Sequence, residues 1–419
     1  MSGSAEIICI GTELLLGEIL NSNAQYLAQQ LAQLGIPHHY QTVVGDNVLR
    51  IQRAIAIACE RARLIIFTGG LGPTPDDLTT ETLAAFFDTP LELRPEALAD
   101  IEAKFARRGR VMSASNRKQA LLPAGAELLP NPQGTAPGLL WQPRPGLTVM
   151  TFPGVPREMH DMWHATAVPY LKAQGWVNAV IHSRTLKFWG VSESGLAERV
   201  APFFERENPT VAPYASKGVI KLRISARAAS VAAAAELIHP VEAELRALGG
   251  EDCFGVDDDT LAHAIGALLQ LRQETLAVAE SCTGGGLGQM LTAVAGSSAY
   301  FWGGVIAYDN HIKEKLLGVS ADTLAKVGAV SPAVAEQMAI GVKQRLGTDW
   351  GLSITGIAGP GGGSADKPVG LVYIGLAGPD GVSQRECRFG SYRGREWVRL
   401  MSVCTALDVL RRKILSLSA

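Results

Sequence analysis

Leu64-Ile65-Ile66-Phe67-Thr68-Gly69-Gly70-Leu71-Gly72-Pro73 decides the fold of the first half of this chain. The apolar run Leu64–Phe67 has no polar face, the pattern of a strand covered on both sides as in a parallel sheet. The glycines after it end the strand in a turn. Working outward, Glu6–Ile10 reads as a short apolar strand followed by the turn Gly11-Thr12-Glu13. Asn21–Leu34 reads as a helix with Leu27, Leu31 and Leu34 on one face, ended by Gly35 and Pro37. Val48–Arg61 repeats that pattern, and further helices are expected over Thr79–Phe87 and Pro95–Arg108. Leu147–Phe152 is a strand closed by Pro153-Gly154-Val155-Pro156. Such alternation predicts a parallel sheet with helices on both faces.

The texture changes between Lys172 and Gly255. Thr185–Gly190 and Val219–Ala226 read as strands, Ser192–Val200 and Ser230–Leu248 as helices, which makes a small α+β unit. After a polar linker, Thr260 caps a helix to about Leu271, and Thr275–Ala279 is a strand entering a second glycine turn. Strands near Gly304–Ala307, Gly351–Ile354 and Val369–Gly375 follow, then a helix from Arg395 to Leu415. The expected class is α/β: two α/β domains with mainly parallel sheets, 1–171 and 256–419, joined by a small α+β domain, 172–255.

Composition supports packed cores: of 419 residues, 47% are hydrophobic and 19% charged. A net charge of −2 provides no global basic field, so no direct nucleic-acid binding is expected. The six cysteines form no Cys-x-x-Cys pair, which argues against a zinc site or a disulfide framework. The first residues lack a basic stretch leading into an apolar run, so no signal peptide and a cytoplasmic location are expected. Ser281–Tyr308 carries no charge and is long enough to span a bilayer, but its seven glycines point to helix, turn and strand in a core, with no membrane association.

Ser281 follows a strand where a glycine turn opens a helix, a place where α/β sheets bind ligands. Free N–H groups of Thr283, Gly284 and Gly285 suit a phosphate or an oxyanion. Alternatively, Ser281 or Thr283 simply caps the helix. Tyr308 follows a buried strand, Asn310 lies beyond it, and Lys313 sits on the first turn of the next helix. A desolvated lysine can take the proton of a serine nucleophile, although from these residues alone an exposed helix lysine is the simpler reading. Thr355, Gly356 and Gly359 belong to a glycine-rich loop after a buried strand, able to bring backbone donors to a ligand. Arg395 and Arg399, one helical turn apart, either clamp an anion or form a solvated face.

Ala279-Glu280-Ser281-Cys282-Thr283-Gly284-Gly285, Gly303-Gly304-Val305-Ile306-Ala307-Tyr308-Asp309-Asn310, Gly-Ala-Val-Ser (328–331), Thr-Gly-Ile-Ala-Gly-Pro-Gly-Gly (355–362) and Lys-Pro-Val-Gly (367–370) together resemble the C-terminal domain of the CinA family. That domain also occurs alone as nicotinamide mononucleotide deamidase. The resemblance implies hydrolysis of nicotinamide mononucleotide to nicotinic acid mononucleotide and ammonia, without a cofactor. It implies Ser281 as nucleophile, Lys313 as its base, Tyr308 and Thr355 as pocket residues, and Arg395 or Arg399 as the basic residue. Cys282 is a rival nucleophile, since a thiolate is intrinsically better, but the motif does not require it.

In the first half, Gly11-Thr12-Glu13-Leu14, Asp46, the Gly69–Thr79 stretch and Asn131-Pro132-Gln133-Gly134 fall at strand ends or in loops. Clustered at one sheet edge they suit a phosphorylated ligand with a divalent metal. Each alone is also an ordinary turn. The pattern Gly-Gly-x-Gly-x-x-x-x-Asp-x-Thr (69–79) resembles the molybdopterin-binding fold, in the version found at the N-terminus of CinA proteins. There it is associated with metal-dependent ADP-ribose pyrophosphatase activity. On that resemblance Asp46 and Asp77 are candidate metal ligands, and Gly11, Thr12, Glu13, Gly69, Gly70, Gly72, Thr79, Asn131 and Gly134 would bind substrate. The middle segment resembles the family's KH-like domain but lacks the Gly-x-x-Gly loop that clamps nucleic-acid backbone. The family also implies a homodimer. Two other classes stay open: a non-catalytic nucleotide-sensing or partner-binding protein linked to competence or DNA damage, and a molybdopterin-processing enzyme.

Overall fold

The computed structural model describes residues 3–177 and 179–417. The chain divides into two compact units, Met1–His182 with Ala226–Leu237, and Ser183–Ser225 with Ile238–Ala419.

The first unit is built on a six-stranded sheet. Its order is His38–Val44, Ala5–Ile10, Leu64–Thr68, Leu147–Phe152, Gly138–Arg144, Glu127–Leu129. The first four strands run parallel and the last two add antiparallel. Side chains alternate between two cores. Ile7, Cys9, Leu64 and Ile66 pack with Leu27, Leu31, Met159 and Trp163, under the helix Ser22–Gln33 and the segment after Pro156. Ile8, Ile10, Ile65 and Phe67 pack with Ile51, Ile55 and Leu83 on the opposite face, under the helices Val48–Arg61 and Thr79–Phe86. Each such fully buried side chain stabilises by roughly 1.5–3 kcal/mol. Asn21 and Asn47 cap their helices, accepting from Ala24 N and Arg50 N at 3.1 Å each. The expected turn at Gly11-Thr12-Glu13 instead opens a short helix, Thr12–Leu16. Its first donors are held by Asp46, which accepts from Thr12 N at 2.8 Å and from Thr12 Oγ1 at 2.7 Å.

The middle segment forms an α+β, KH-like sheet in the order Thr210–Ser216, Val219–Ala228, Val180–Phe188, Cys253–Val256, with the helices Glu193–Val200 and Val231–Gly249. The last segment has a five-stranded sheet: Phe301–Ile306, Leu276–Glu280, Trp350–Gly356, Leu371–Gly378, Gly381–Arg388. Three strands are parallel and two are antiparallel. The helices Leu261–Arg272 and Gly394–Ser416 contribute to the core on one face, Asn310–Leu317 and Pro332–Leu346 to that on the other. The uncharged run 281–308 breaks into a helix Gly286–Thr292, a turn Ser297–Ala299 and the strand Phe301–Ile306. Among the described residues no helix is long and apolar enough to cross a membrane.

The strands that the sequence pattern does not announce include His38–Val44, Glu127–Leu129, Thr210–Ser216, Cys253–Val256 and Gly381–Arg388, each at the edge of its sheet. Gly381–Arg388 is exposed at every residue but Cys387. Edge strands tolerate polar residues because only part of their surface is covered, so the apolar run that marks a central strand is missing.

Candidate functional site

In the second unit the sequence motifs converge at the carboxyl ends of three adjacent parallel strands. Ser281, 9% exposed, follows the central one, and its N–H donates to Ile354 O at 2.9 Å. The carbonyl of the preceding Glu280 accepts from Ala307 N at 2.7 Å. The carbonyl of that same Ala307 accepts from Lys313 Nζ at 2.7 Å, and Tyr308 O accepts from the same amine at 3.1 Å. Lys313 is 1% exposed, so the reading of an exposed helix lysine is excluded. Burial lowers its pKa below the ordinary lysine value, with Asp309 and Cys282 acting weakly the other way. A neutral amine keeps two N–H groups for the two carbonyls and has a lone pair left over.

The helix Gly286–Thr292 is capped by neither Ser281 nor Thr283. Glu280, 2% exposed, turns its carboxylate onto the helix start and accepts from Gly285 N at 3.0 Å, Leu287 N at 3.0 Å and Gly288 N at 2.8 Å. Gly284 N donates to Ser281 O at 3.1 Å. The N–H groups of Gly284 and Gly285 are therefore committed within the turn, and their expected role as anion donors is corrected. Among the described residues the N–H groups of Cys282 and Thr283 have no carbonyl or carboxylate partner. The two glycines are needed for conformation, at φ 56° and 94°. Cys282 is buried, and desolvation pushes its thiol up to about 11, so it is a protonated thiol at neutral pH.

The remaining predicted residues tie the loops together. Thr355 Oγ1 donates to Ala329 O at 2.8 Å, in the Gly-Ala-Val-Ser loop, and is fully buried. Gly356 lies within its strand opposite Val372. Arg395 donates to Gly359 O at 2.7 Å and to the Tyr308 hydroxyl at 3.3 Å, and Arg399 donates to Thr283 O at 2.7 Å. Arg395 and Tyr308 are exposed. Asn310 is exposed at the start of its helix, which Asp309 caps through His311 N at 2.8 Å. Beside the turn is a cavity of about 210 Å³, lined by Thr283, Glu396, Arg399 and the apolar Met290, Leu400 and Val403 among others. Thr283 Oγ1 and Arg399 Nε are buried there without a hydrogen-bond partner among the described residues. Buried polar atoms are nearly always satisfied, so this pair is suited to a ligand.

The first unit carries a different site. A cavity of about 410 Å³ is lined by Gly11, Glu13, Asp46, Gly69, Gly70, Gly72 and Asp77, as the sequence reading expects. Gly69 has φ 101°, and a Cβ there would sit 2.1 Å from Ile10 O, so the loop can pass over the first strand only with glycine. Four predicted residues stand behind the wall instead. Thr79 is fully buried and donates to Gly69 O at 2.8 Å. Thr12 holds Asp46. Asn131, 1% exposed, donates to Glu158 Oε2 at 2.7 Å and Ala136 O at 2.8 Å, and its Oδ1 accepts from Gly134 N at 2.8 Å. Gly134 packs against Glu158, which a Cβ would strike at 2.1 Å.

Sequence reasoning missed Glu158 and Asp76, which also line the cavity. The signal for Glu158 is local: an acidic residue in the first turn of the helix Pro156–Met162, directly after the Pro-Gly-Val-Pro strand end. With Glu13, Asp46 and Asp77 they make five lining carboxylates, and no lysine or arginine lines the wall among the described residues. Two unit charges of like sign 5 Å apart cost about 3 kcal/mol at an effective dielectric of about 20. A diphosphate can therefore enter only with cations. Among the described residues no three His, Cys, Asp or Glu side chains group as a ready-made metal cage. Magnesium-type ions take one or two carboxylates and complete their shell with water and substrate phosphates, and this donor set fits that mode.

Family models match the chain in three places: a probable molybdopterin binding domain over residues 6–173, a damage-inducible protein CinA KH domain over 183–255 and a CinA C-terminal domain over 258–414. A CinA-like protein of a Cyanothece species is 70% identical over 417 residues, covering 100% of both chains. The chain belongs to the CinA family. A CinA-like protein of Synechococcus elongatus is 67% identical over 414 residues, covering 99% of this chain and 98% of the relative. Among solved structures, a competence/damage inducible protein from Agrobacterium tumefaciens is 44% identical, covering 36% of this chain and 91% of that one, with a TM-score of 0.35. The carboxylate cavity lies within the residues matched by the molybdopterin binding domain model, and the Ser281 turn within those matched by the CinA C-terminal domain model.

Proposed function

We propose that this CinA-family chain hydrolyses nicotinamide mononucleotide to nicotinic acid mononucleotide and ammonia at the Ser281–Lys313 site. The observation that carries the reading is Lys313: a lysine 1% exposed, with its amine on two carbonyls, at the same strand ends as Ser281. Desolvation favours the neutral form of this buried amine, which can serve as a base. Lys313 accepts the Ser281 proton as Oγ attacks the carboxamide carbon. The N–H groups of Cys282 and Thr283 receive the developing oxyanion. The proton passes to the leaving nitrogen and ammonia departs. Water, deprotonated by the same amine, then hydrolyses the acyl-serine and restores Ser281. Arg395, Arg399 and the Thr283 hydroxyl hold the 5′-phosphate. The buried, protonated thiol of Cys282 favours serine over cysteine as nucleophile.

The same reading gives the first unit a metal-dependent hydrolysis of ADP-ribose to AMP and ribose 5-phosphate. Asp46 and Asp77, with Glu13, Asp76 and Glu158 available on the same wall, would hold the divalent ion. When bound, that ion supplies charge neutralisation of the diphosphate and an acidified water. The protein would work as a cytoplasmic homodimer.

The test is ammonia release from nicotinamide mononucleotide by the purified chain and by Ser281→Ala, Lys313→Met and Cys282→Ala. Release by the wild type and the cysteine variant, lost in the other two, supports the assignment. Release by Ser281→Ala at the wild-type rate sinks it, and no release by the wild type points to a nucleotide sensor.

A further inference from the structure

A second cavity of about 410 Å³ lies in the first unit and plays no part in the reactions above. Ala97, Leu128 and three prolines, Pro130, Pro132 and Pro137, give it an apolar wall. Its charged residues are Asp100, Lys104 and Arg107, all on the helix Pro95–Arg107. Lys104 is 7% exposed; its ammonium contacts the Asp100 carboxylate and donates to Asn131 O at 2.5 Å. Two of its three donor directions are thereby used. Arg107, three residues on, is exposed and its guanidinium has no partner among the described residues. Basic residues in the last turn of a helix complement its dipole, which explains surface cations but not a lysine buried on a cavity wall. Two cations against one carboxylate leave the cavity with net positive charge, beside a wall suited to carbon.

Asn131 joins this cavity to the carboxylate cavity. Its carbonyl accepts from Lys104 on one side, and its side-chain amide donates to Glu158 Oε2 at 2.7 Å on the other. Its Oδ1 also shapes the loop, accepting from Gln133 N at 3.1 Å and Gly134 N at 2.8 Å. Arg108 holds the same loop through Gln133 O at 3.3 Å. The loop continues into Thr135 and Ala136, which line the carboxylate cavity. An anion that draws Lys104 away from Asn131 O therefore acts on the residue that positions Glu158.

We propose that this second cavity is an effector site for a small organic anion, whose carboxylate or phosphate meets Lys104 and Arg107 and whose carbon body lies on the prolines, and that its occupancy is transmitted through Asn131 to the carboxylate cavity. The site stands independently of which reaction the carboxylate cavity performs.

Calorimetric titration of the full chain with phenyl phosphate, benzoate and inorganic phosphate tests the site, alongside hydrogen exchange of residues 131–137. Saturable binding of phenyl phosphate or benzoate at one per chain is expected, with whichever binds more tightly giving the head group. Inorganic phosphate should bind at least about tenfold more weakly, because it leaves the apolar wall uncovered. Arg107→Glu, an exposed position, should weaken binding about tenfold or more, with Arg107→Ala intermediate. Exchange in 131–137 should change on binding in the wild type and not in Arg107→Glu. The site is overturned by no saturable binding, by affinity unchanged in a folded Arg107→Glu, or by inorganic phosphate binding equally well. Binding that leaves exchange of 131–137 untouched overturns the transmission through Asn131.

Discussion

The two glycine turns of this chain look alike in sequence and have opposite electrostatics. Both follow a fully buried parallel strand, Leu64–Thr68 in one unit and Leu276–Glu280 in the other. The first opens onto five carboxylates, with no lysine or arginine in the wall among the described residues. In the second, the nearby Glu280 is consumed by three helix N–H groups, and the charged side chains near it are Lys313, Arg395 and Arg399 against the one carboxylate, Glu396, in the adjoining cavity wall. The comparison teaches that a glycine turn at a strand end supplies only closeness of approach. What enters is decided by the charges that other elements bring to the rim. The first turn can take a diphosphate only with metal, while the second can take an anion directly and holds a buried lysine whose pKa is lowered by desolvation.

The sharpest break between the sites is chemical. Ser281→Ala and Lys313→Met should each lower kcat for deamidation by at least about 10³-fold while leaving ADP-ribose hydrolysis intact. A proportional fall in both activities would mean that the two sites are not separate. Chelation tests the converse: EDTA should abolish ADP-ribose hydrolysis and spare deamidation. Asp77→Asn should reduce the former by about 10–100-fold, with restoration at higher metal concentration if the carboxylate is a ligand. Equal sensitivity of both reactions to EDTA would contradict the charge contrast.

A pH profile sharpens the comparison further. Burial holds the Lys313 pKa below the ordinary value of 10.5, so the neutral base accumulates as pH rises through that lowered pKa. Deamidation should climb with pH and level off before pH 10.5, the value from which the shift is measured. Between the lowered pKa and the ordinary one the unfolded chain binds more protons than the native chain, so stability also rises with pH across that window. Lys313→Met should flatten the stability slope. The smallest expected effect is structural. Glu280→Ala should destabilise the second unit by about 2 kcal/mol through loss of the helix cap, read by denaturant unfolding.

Much of the fold is legible before any coordinates. The helices Val48–Arg61 and Ser22–Gln33 follow from apolar spacing and from the asparagines that cap them, and the central strands follow from unbroken apolar runs. Edge strands such as Gly381–Arg388 escape because their polar residues face solvent. Of the candidate sites, Gly69, Gly70, Ser281 and Tyr308 stand at strand ends that the sequence already marks, whereas Asp46 follows the unannounced edge strand His38–Val44 and Asp77 lies in the loop before the helix Thr79–Phe86. Glu158 escapes because its entry into the cavity depends on Asn131, which is far from it in sequence and holds its carboxylate.

By itself the sequence determined where the chain turns and which residues stand at those turns, because strand runs, helix faces and glycine conformations are local properties. Only the tertiary structure decided the charge of each rim. Lys313 is buried because the loop at Ala307–Tyr308 supplies carbonyls over it, Glu280 is withdrawn from the site because a helix begins beside it, and five carboxylates share one cavity because separate segments meet there. Burial and charge compensation are sums over neighbours distant in the chain, and no window of sequence contains them.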